Sequence, residues 1–189
     1  MHEFPSPKAY IAAYRTDPTL AAVPVPLVAE FLGISPGGVT QMLRSARLEG
    51  VRIKRTSMVL IRSLIAREEA FQHDVARVDA YIRELARKQV RHIFYEPVME
   101  MLGLNWRIPA DRTRIGQVLE GVSRQSAEQH RDQQLLLTVL VHRKGTGTTR
   151  PGPGFFTLAE NIGHEWEDDD EFVRQHTDQV LAAYRHGPR

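Results

Sequence analysis

The chain of 189 residues contains no cysteine, which removes disulfide frameworks, thiolate zinc sites, iron–sulfur clusters and cysteine nucleophiles together. A reducing cytoplasm is the compartment that fits. No apolar run approaches the roughly 18 residues needed to cross a bilayer, and the opening MHEFPSPKAY has no basic-then-apolar signal region. Secretion and membrane insertion are therefore not expected. Proline and glycine are both missing from Ile61 to about His92, which permits one long helix there. No internal repeat is visible. What the chain does have is an ordinary globular balance, 42% hydrophobic and 25% charged, and a length that suits one generous domain or two small ones. The expected class is mainly α with a small α+β C-terminal part.

Net charge is only +2, but its distribution is uneven, and distribution decides where a polyanion would be met. Residues 35–67 hold Arg44, Arg47, Arg52, Lys54, Arg55, Arg62 and Arg67 against the single acid Glu49, a local sum of +6. Residues 155–189 hold eight acids against Arg174, Arg185 and Arg189, a sum of −5. A nucleic acid would meet the first half of the chain.

Four stretches separate by pattern. Residues 1–24 read as an N-terminal arm with a short helix, Lys8 to Arg15, set between Pro5, Pro7 and Pro18. Residues 25–60 are dense and patterned and read as one domain, 61–92 as a long helix, and 93–189 as an α+β domain of unknown role. Within the last stretch, helices are expected from Phe94 to Leu102, from Ala110-Asp111 to about His130, briefly after Phe155-Phe156, and from Asp169 to Tyr184. LLLTVLVH, Leu135 to His142, is apolar and β-branched at three positions, so a buried strand is expected. The glycine- and proline-rich run to Gly154 reads as a loop.

The informative segment is 25–61. Leu27, Val28, Phe31 and Leu32 fall at helical spacing, Gly33 supplies a left-handed stop, and Ser35-Pro36 is an N-cap followed by a first-turn proline. Two helices thus meet at a three-residue turn. The second carries Val39, Met42 and Leu43 inward and leaves Thr40, Gln41, Arg44 and Arg47 elsewhere. Such a face suits the major groove: arginine pairs bidentately with guanine, glutamine with adenine, and threonine meets a thymine methyl. Ala29, Leu32-Gly33-Ile34-Ser35, Val39, then Leu48 and a short basic hairpin, resemble the helix-turn-helix of the MerR and excisionase-like families of bacterial DNA-binding proteins. That resemblance implies a recognition helix over 36–46 and a wing from Val51 to Val59, whose Arg52, Lys54 and Arg55 reach phosphates or the minor groove. Gly37-Gly38 departs from the pattern, removing part of the base readout and weakening the helix start by up to roughly 1 kcal/mol per glycine. The implied DNA-contacting set is Ser35, Thr40, Gln41, Arg44, Arg47, Arg52, Lys54 and Arg55.

From Ile61 a 3-4 spacing runs through Leu64, Glu68, Phe71, Val75, Val78, Ile82, Leu85, Gln89 and His92, apolar at seven of the ten positions and with charged flanks, the pattern of a coiled-coil seam; the dimerisation set is Leu64, Phe71, Val75, Val78, Ile82 and Leu85. A homodimer joined by these residues would offer two recognition helices to two half-sites. The alternative is that the seam packs within one chain against the last helix, where Phe172, Val180, Leu181 and Tyr184 form a matching stripe.

Catalysis finds little support in the remainder. His130, His142, His164 and His176 are too widely spaced for a local metal motif, the acidic run Glu165 to Glu171 lacks the spacing of a calcium loop, and Gly145 to Gly154 lacks the Gly-Lys-Ser/Thr ending of a phosphate loop. Phe94-Tyr95, Ile115-Gly116, Val118-Leu119 and His142-Arg143 are faintly similar to the winged helix of alkyltransferase-like repair proteins, but the cysteine that would carry their chemistry is absent. No catalytic residue, metal or cofactor is expected. The functional expectation is a cytoplasmic, nucleoid-associated, dimeric regulator that binds double-stranded DNA, with an unidentified effector or protein partner at the C-terminal domain. Its rivals are a phage or plasmid factor, small-terminase-like or excisionase-like, and a metal-dependent nuclease using His142, Arg143 and Lys144.

Overall fold

The computed structural model describes residues 1–144 and 149–185, most of them helical, with strands in two small sheets. A mainly α class fits. The chain divides into two compact units, Met1–Ala70 and Phe71–Arg189.

In the first unit, β1 (His2–Phe4), α1 (Pro7–Thr16), a 3-10 turn at Pro18–Leu20 and β2 (Ala22–Pro24) precede α2 (Val25–Leu32) and α3 (Pro36–Arg44). A hairpin of β3 (Gly50–Ile53) and β4 (Thr56–Leu60) follows. The sheet runs β1-β3-β4-β2, with β1 parallel to β3 and the other pairs antiparallel. Successive strand residues point to opposite faces, and here each face has its own cover. Val59 packs with Val28, Ala29, Val39, Leu43 and Leu48 of the α2–α3 side, whereas Val51 and Leu60 pack with Leu20, Phe4 and Tyr10 of the N-terminal segment. Residues 1–24 therefore complete this unit, and the Tyr10 hydroxyl donates to the Leu20 carbonyl at 2.9 Å. At Gly50 a Cβ would stand 2.5 Å from the Met58 carbonyl oxygen, so only glycine lets the hairpin close beneath Leu43.

Helix α4 (Ile61–Arg87) begins in the first unit, where Leu64 packs with the α2–α3 cluster, and supplies its residues from Phe71 onward to the second. There β5 (Ile93–Phe94), α5 (Tyr95–Met101), α6 (Pro109–Gln129), a 3-10 turn at Leu137–Leu140, β6 (Val141–His142), α7 (Pro153–Asn161) and α8 (Asp169–Tyr184) follow. One core gathers Val75, Val78 and Ile82 of α4 with Ile115, Val118 and Val122 of α6 and Phe172, Val180, Leu181 and Tyr184 of α8. Helices α4 and α6 meet closely because α6 carries Gly121, where a Cβ would come within 2.9 Å of the Val75 side chain.

Three expectations are corrected. The seam residues Val75, Val78 and Ile82 are buried in the chain's own core together with residues of α6 and α8, so they are not a surface left for a second copy. Phe71 and Leu85 are half-buried beside them. Leu135 to His142 is buried throughout, but only Val141–His142 is strand, paired with β5, and the preceding four residues form the 3-10 turn. Apolarity there reported depth, not ladder pairing. The larger sheet also belongs to the N-terminal unit, while the C-terminal unit has a pair of two-residue strands. Of the expected loop after the apolar run, residues 145–148 lie outside the described residues; on either side of them the Arg143 N–H donates to the Arg150 carbonyl at 2.9 Å.

A buried turn without a sheet ladder needs other partners for its backbone, and two side chains provide them. Ser126 Oγ accepts from the Leu137 N–H at 3.0 Å and lies 2.7 Å from the Leu135 carbonyl, and His176 Nε2 accepts from the Leu136 N–H at 2.8 Å. Ser126→Ala leaves the Leu135 carbonyl and the Leu137 N–H without this partner, and a stability loss of about 2–4 kcal/mol is expected in denaturant titration. Burial, with the neighbouring His164, pushes the His176 imidazole down to about 4. The unfolded chain then takes up this proton near the ordinary histidine value of 6.5 and the folded chain only near 4. The stability involved is complete above about pH 6.5 and is lost as pH falls toward 4, by roughly 3 kcal/mol in all. Thermal melts across that range should show the fall, and His176→Gln, whose amide oxygen can still accept from Leu136, should flatten it.

Candidate nucleic-acid interface

The α2–α3 junction is fixed by local chemistry. Gly33 stands at φ +63°, its N–H and that of Ile34 turn back to the Glu30 and Ala29 carbonyls at 3.1 and 3.0 Å, and α2 ends there. Ser35 then caps α3, its Oγ accepting from the Gly38 N–H at 3.2 Å, with Pro36 in the first turn. Val39 and Leu43 are buried. With 3.6 residues per turn, Gly37, Thr40, Gln41 and Arg44 lie on the opposite side of α3, where Gly37, Gln41 and Arg44 are exposed and Thr40 is half-buried.

The polar atoms divide into those used by the fold and those left outward. Ser35 is occupied as a cap, and the Thr40 hydroxyl donates to the Pro36 carbonyl at 2.9 Å. Arg52 pairs with Glu3 at 3.6 Å, and Arg62 with Glu49 at 2.6 Å. Neither carboxylate contact follows from the seven-to-one charge count, because Glu3 reaches Arg52 only through the pairing of β1 with β3. Arg44, Arg47, Lys54 and Arg55 are exposed and form no ion pair among the described residues. Arginine remains charged at any physiological pH, and with Lys54 these arginines are the cations that α3, the residues just after it and the hairpin tip offer an anion; Lys8 and Arg15 of α1 are exposed and without an ion pair among the described residues as well.

The hairpin tip adds a backbone observation. Lys54-Arg55 forms the two-residue turn between β3 and β4, and Lys54 stands at φ +53°, its N–H held by the Phe4 carbonyl at 3.2 Å. Glycine, asparagine or aspartate is the usual occupant of such a position. A lysine there carries roughly 1 kcal/mol of backbone strain with its ammonium turned to solvent. Alongside, α2 differs from its expected inward face: Val28 and Ala29 are buried, but Leu27 and Phe31 are 56% and 60% exposed, because the α2–α3 core takes the strip at 28, 29 and 32.

The residues considered for catalysis are placed otherwise. His142 is buried, stacked on His92 with ring centres 5.2 Å apart and Nε2 3.0 Å from the Val139 carbonyl; burial first, and His92 second, hold its imidazole below the ordinary value. Lys144 pairs with Glu96 at 3.2 Å and lies over the Phe94 ring. Among the described residues no group of three histidine or acidic side chains is placed to hold a metal ion, and no helix is long and apolar enough to cross a membrane.

No family model, curated protein or solved structure matches the chain.

Lys54→Gly is expected to raise the stability of the first unit by up to about 1 kcal/mol, since glycine adopts the left-handed turn without a Cβ clash. Chemical denaturation measures it. A lower stability in the variant would mean that the lysine side chain supports the hairpin instead of merely being tolerated in it.

Proposed function

We propose that the first unit is a winged helix-turn-helix that binds double-stranded DNA, with α3 as the reading helix and the β3–β4 hairpin as the wing. The observation that carries this reading is the set of exposed, unpaired cations. Arg44 and Arg47 lie on and just after α3, and Lys54 and Arg55 at the hairpin tip, around a helix whose outer face also carries Gln41 and the half-buried Thr40. In the groove, Arg44 and Gln41 supply bidentate donors and acceptors to base edges, while the tip cations meet phosphate or the minor groove. Gly37 and Gly38 put no side chain into the first turn of α3, so few base edges are read there, and the expected binding is semi-specific.

Regulation of transcription suits such a module joined to a second unit of different chemistry. The same module would also serve phage or plasmid assembly and recombination. A homodimer on two half-sites belongs to this reading, but its contact has to lie outside Val75, Val78 and Ile82, which the chain's own core occupies.

Fluorescence anisotropy of the full chain on random duplex DNA provides the test. If the four unpaired cations neutralise phosphates, log K falls with log salt at a slope of about −3 to −4. Arg44→Ala should cost about 1–3 kcal/mol on preferred sequences and less on others, whereas Arg55→Ala weakens all sequences alike and makes the slope shallower by about 1. Lys54→Gly weakens binding even though it stabilises the fold. Affinity that does not respond to salt would overturn the reading.

A further inference from the structure

Gly116 sits in the interior of α6, where glycine is disfavoured by roughly 1 kcal/mol relative to alanine. Neither of the usual reasons for a glycine applies to it. Its φ is not left-handed, and apart from its own helix backbone nothing lies within 4 Å of where a Cβ would stand. Gly154, in the first turn of α7, likewise faces open space within 4 Å. Both glycines border one cavity of about 300 Å³, walled by α6, α7, the 3-10 turn and the start of α5. That volume is at the small end of the range of ligand sites, roughly 300–1,000 Å³.

The lining has the composition of a binding site. Leu119, Val141, Phe155 and Leu158 provide a buried apolar floor. Tyr95 also lines the cavity, and burial holds its phenol above the ordinary value, so it stays neutral. Two charged side chains stand at the cavity, and only one is compensated. Glu120 accepts from Arg124 Nε and an Arg124 terminal nitrogen at 2.9 and 2.8 Å, whereas Arg112 gives one N–H to the Trp106 carbonyl at 3.0 Å and meets no carboxylate among the described residues. A guanidinium with spare N–H groups beside an apolar floor suits a carboxylate, which it can hold through two parallel hydrogen bonds.

We propose that this cavity binds a small organic acid, its apolar or aromatic body on Leu119, Val141, Phe155 and Leu158 and its carboxylate on Arg112. Both glycines are exposed and stand at the open rim of the cavity, where they leave its mouth clear of side chains. The site lies wholly in the second unit and stands whether or not the first unit binds DNA.

The full chain, ¹⁵N-labelled, is titrated with sodium phenylacetate and sodium indole-3-acetate, with 2-phenylethanol as the uncharged counterpart. Saturable NMR shifts are expected at amides around the cavity, Gly116 and Gly154 included, with phenylacetate bound at least about 10-fold more tightly than the alcohol. Gly116→Leu fills the cavity from α6 and should abolish the shifts without lowering the melting temperature, because leucine also favours the helix. Gly154→Leu fills it from α7, so the test does not rest on one variant. Arg112→Gln should bring phenylacetate down to the level of the alcohol. Absence of saturable shifts with both acids at millimolar concentration, retention of binding in either folded leucine variant, or equal affinity for acid and alcohol would each overturn the proposal.

Discussion

Burying the backbone of Leu135 to Leu140 without a β-ladder is the constraint around which the second unit is arranged. An unpaired N–H or carbonyl at that depth is unfavourable by about 1–3 kcal/mol, and three consecutive residues of the segment turn such groups toward side chains. The solution fixes two helices at once. Ser126 must lie on the inner face of α6 and His176 on the inner face of α8, each at hydrogen-bond distance from the same short segment. Ser123 does the same for the segment's own polar side chain, meeting the Thr138 hydroxyl. With α6 and α8 so placed, the apolar faces of both are directed at one volume, and the inner stripe of α4 fills it.

This explains why polar residues in the middle of α6 and α8 belong to the core. Ser123, Ser126, His176 and Thr177 are all buried, and by composition they would be assigned to a solvated face. Replacing them with apolar residues of similar size would increase apolar area but leave the 3-10 turn without partners. The neutral state of His176 follows from the same arrangement, because an imidazole that accepts from a backbone N–H through Nε2 must carry its proton on Nδ1.

What could be read from the sequence was what is decided locally. Gly33 ends α2, Ser35-Pro36 starts α3, and the bounds of α8 from Asp169 to Tyr184 follow from an acidic first turn and an apolar period. Features set by distant partners were not legible. The parallel pairing of His2–Phe4 with Val51–Ile53 has no local signature, and neither does the neutralisation of Arg52 by Glu3 that it produces. The stripe along α4 was visible as a stripe, but periodicity states only that one face is covered, not whether the cover comes from α8 or from another chain. In the same way, LLLTVLVH announced its burial while the side chains that satisfy its backbone, 9 to 40 residues away, decided its shape. For the proposed interface, sequence supplied the candidate cations and the structure divided them into paired and unpaired.

That division bears more on anion recognition than net charge does. In the second unit most basic side chains of the described residues are held by carboxylates, as in Arg114 with Asp74 at 2.6 Å, Arg91 with Asp178 at 2.8 Å and Arg150 with Asp169 at 3.2 Å. A pair of that kind has a field that decays faster with distance than that of a lone charge, and salt screens what is left within about 10 Å. To draw on such an arginine, a polyanion would have to displace its carboxylate. The cations of α3 and the hairpin tip have no carboxylate to displace, so their attraction acts at longer range and counterion release follows directly from contact. Glu3 and Glu49 pair with Arg52 and Arg62 and so remove those two from that set. In the proposed complex with DNA, the carboxylates of the first unit would thus decide which of its cations can act on phosphate without first losing a partner.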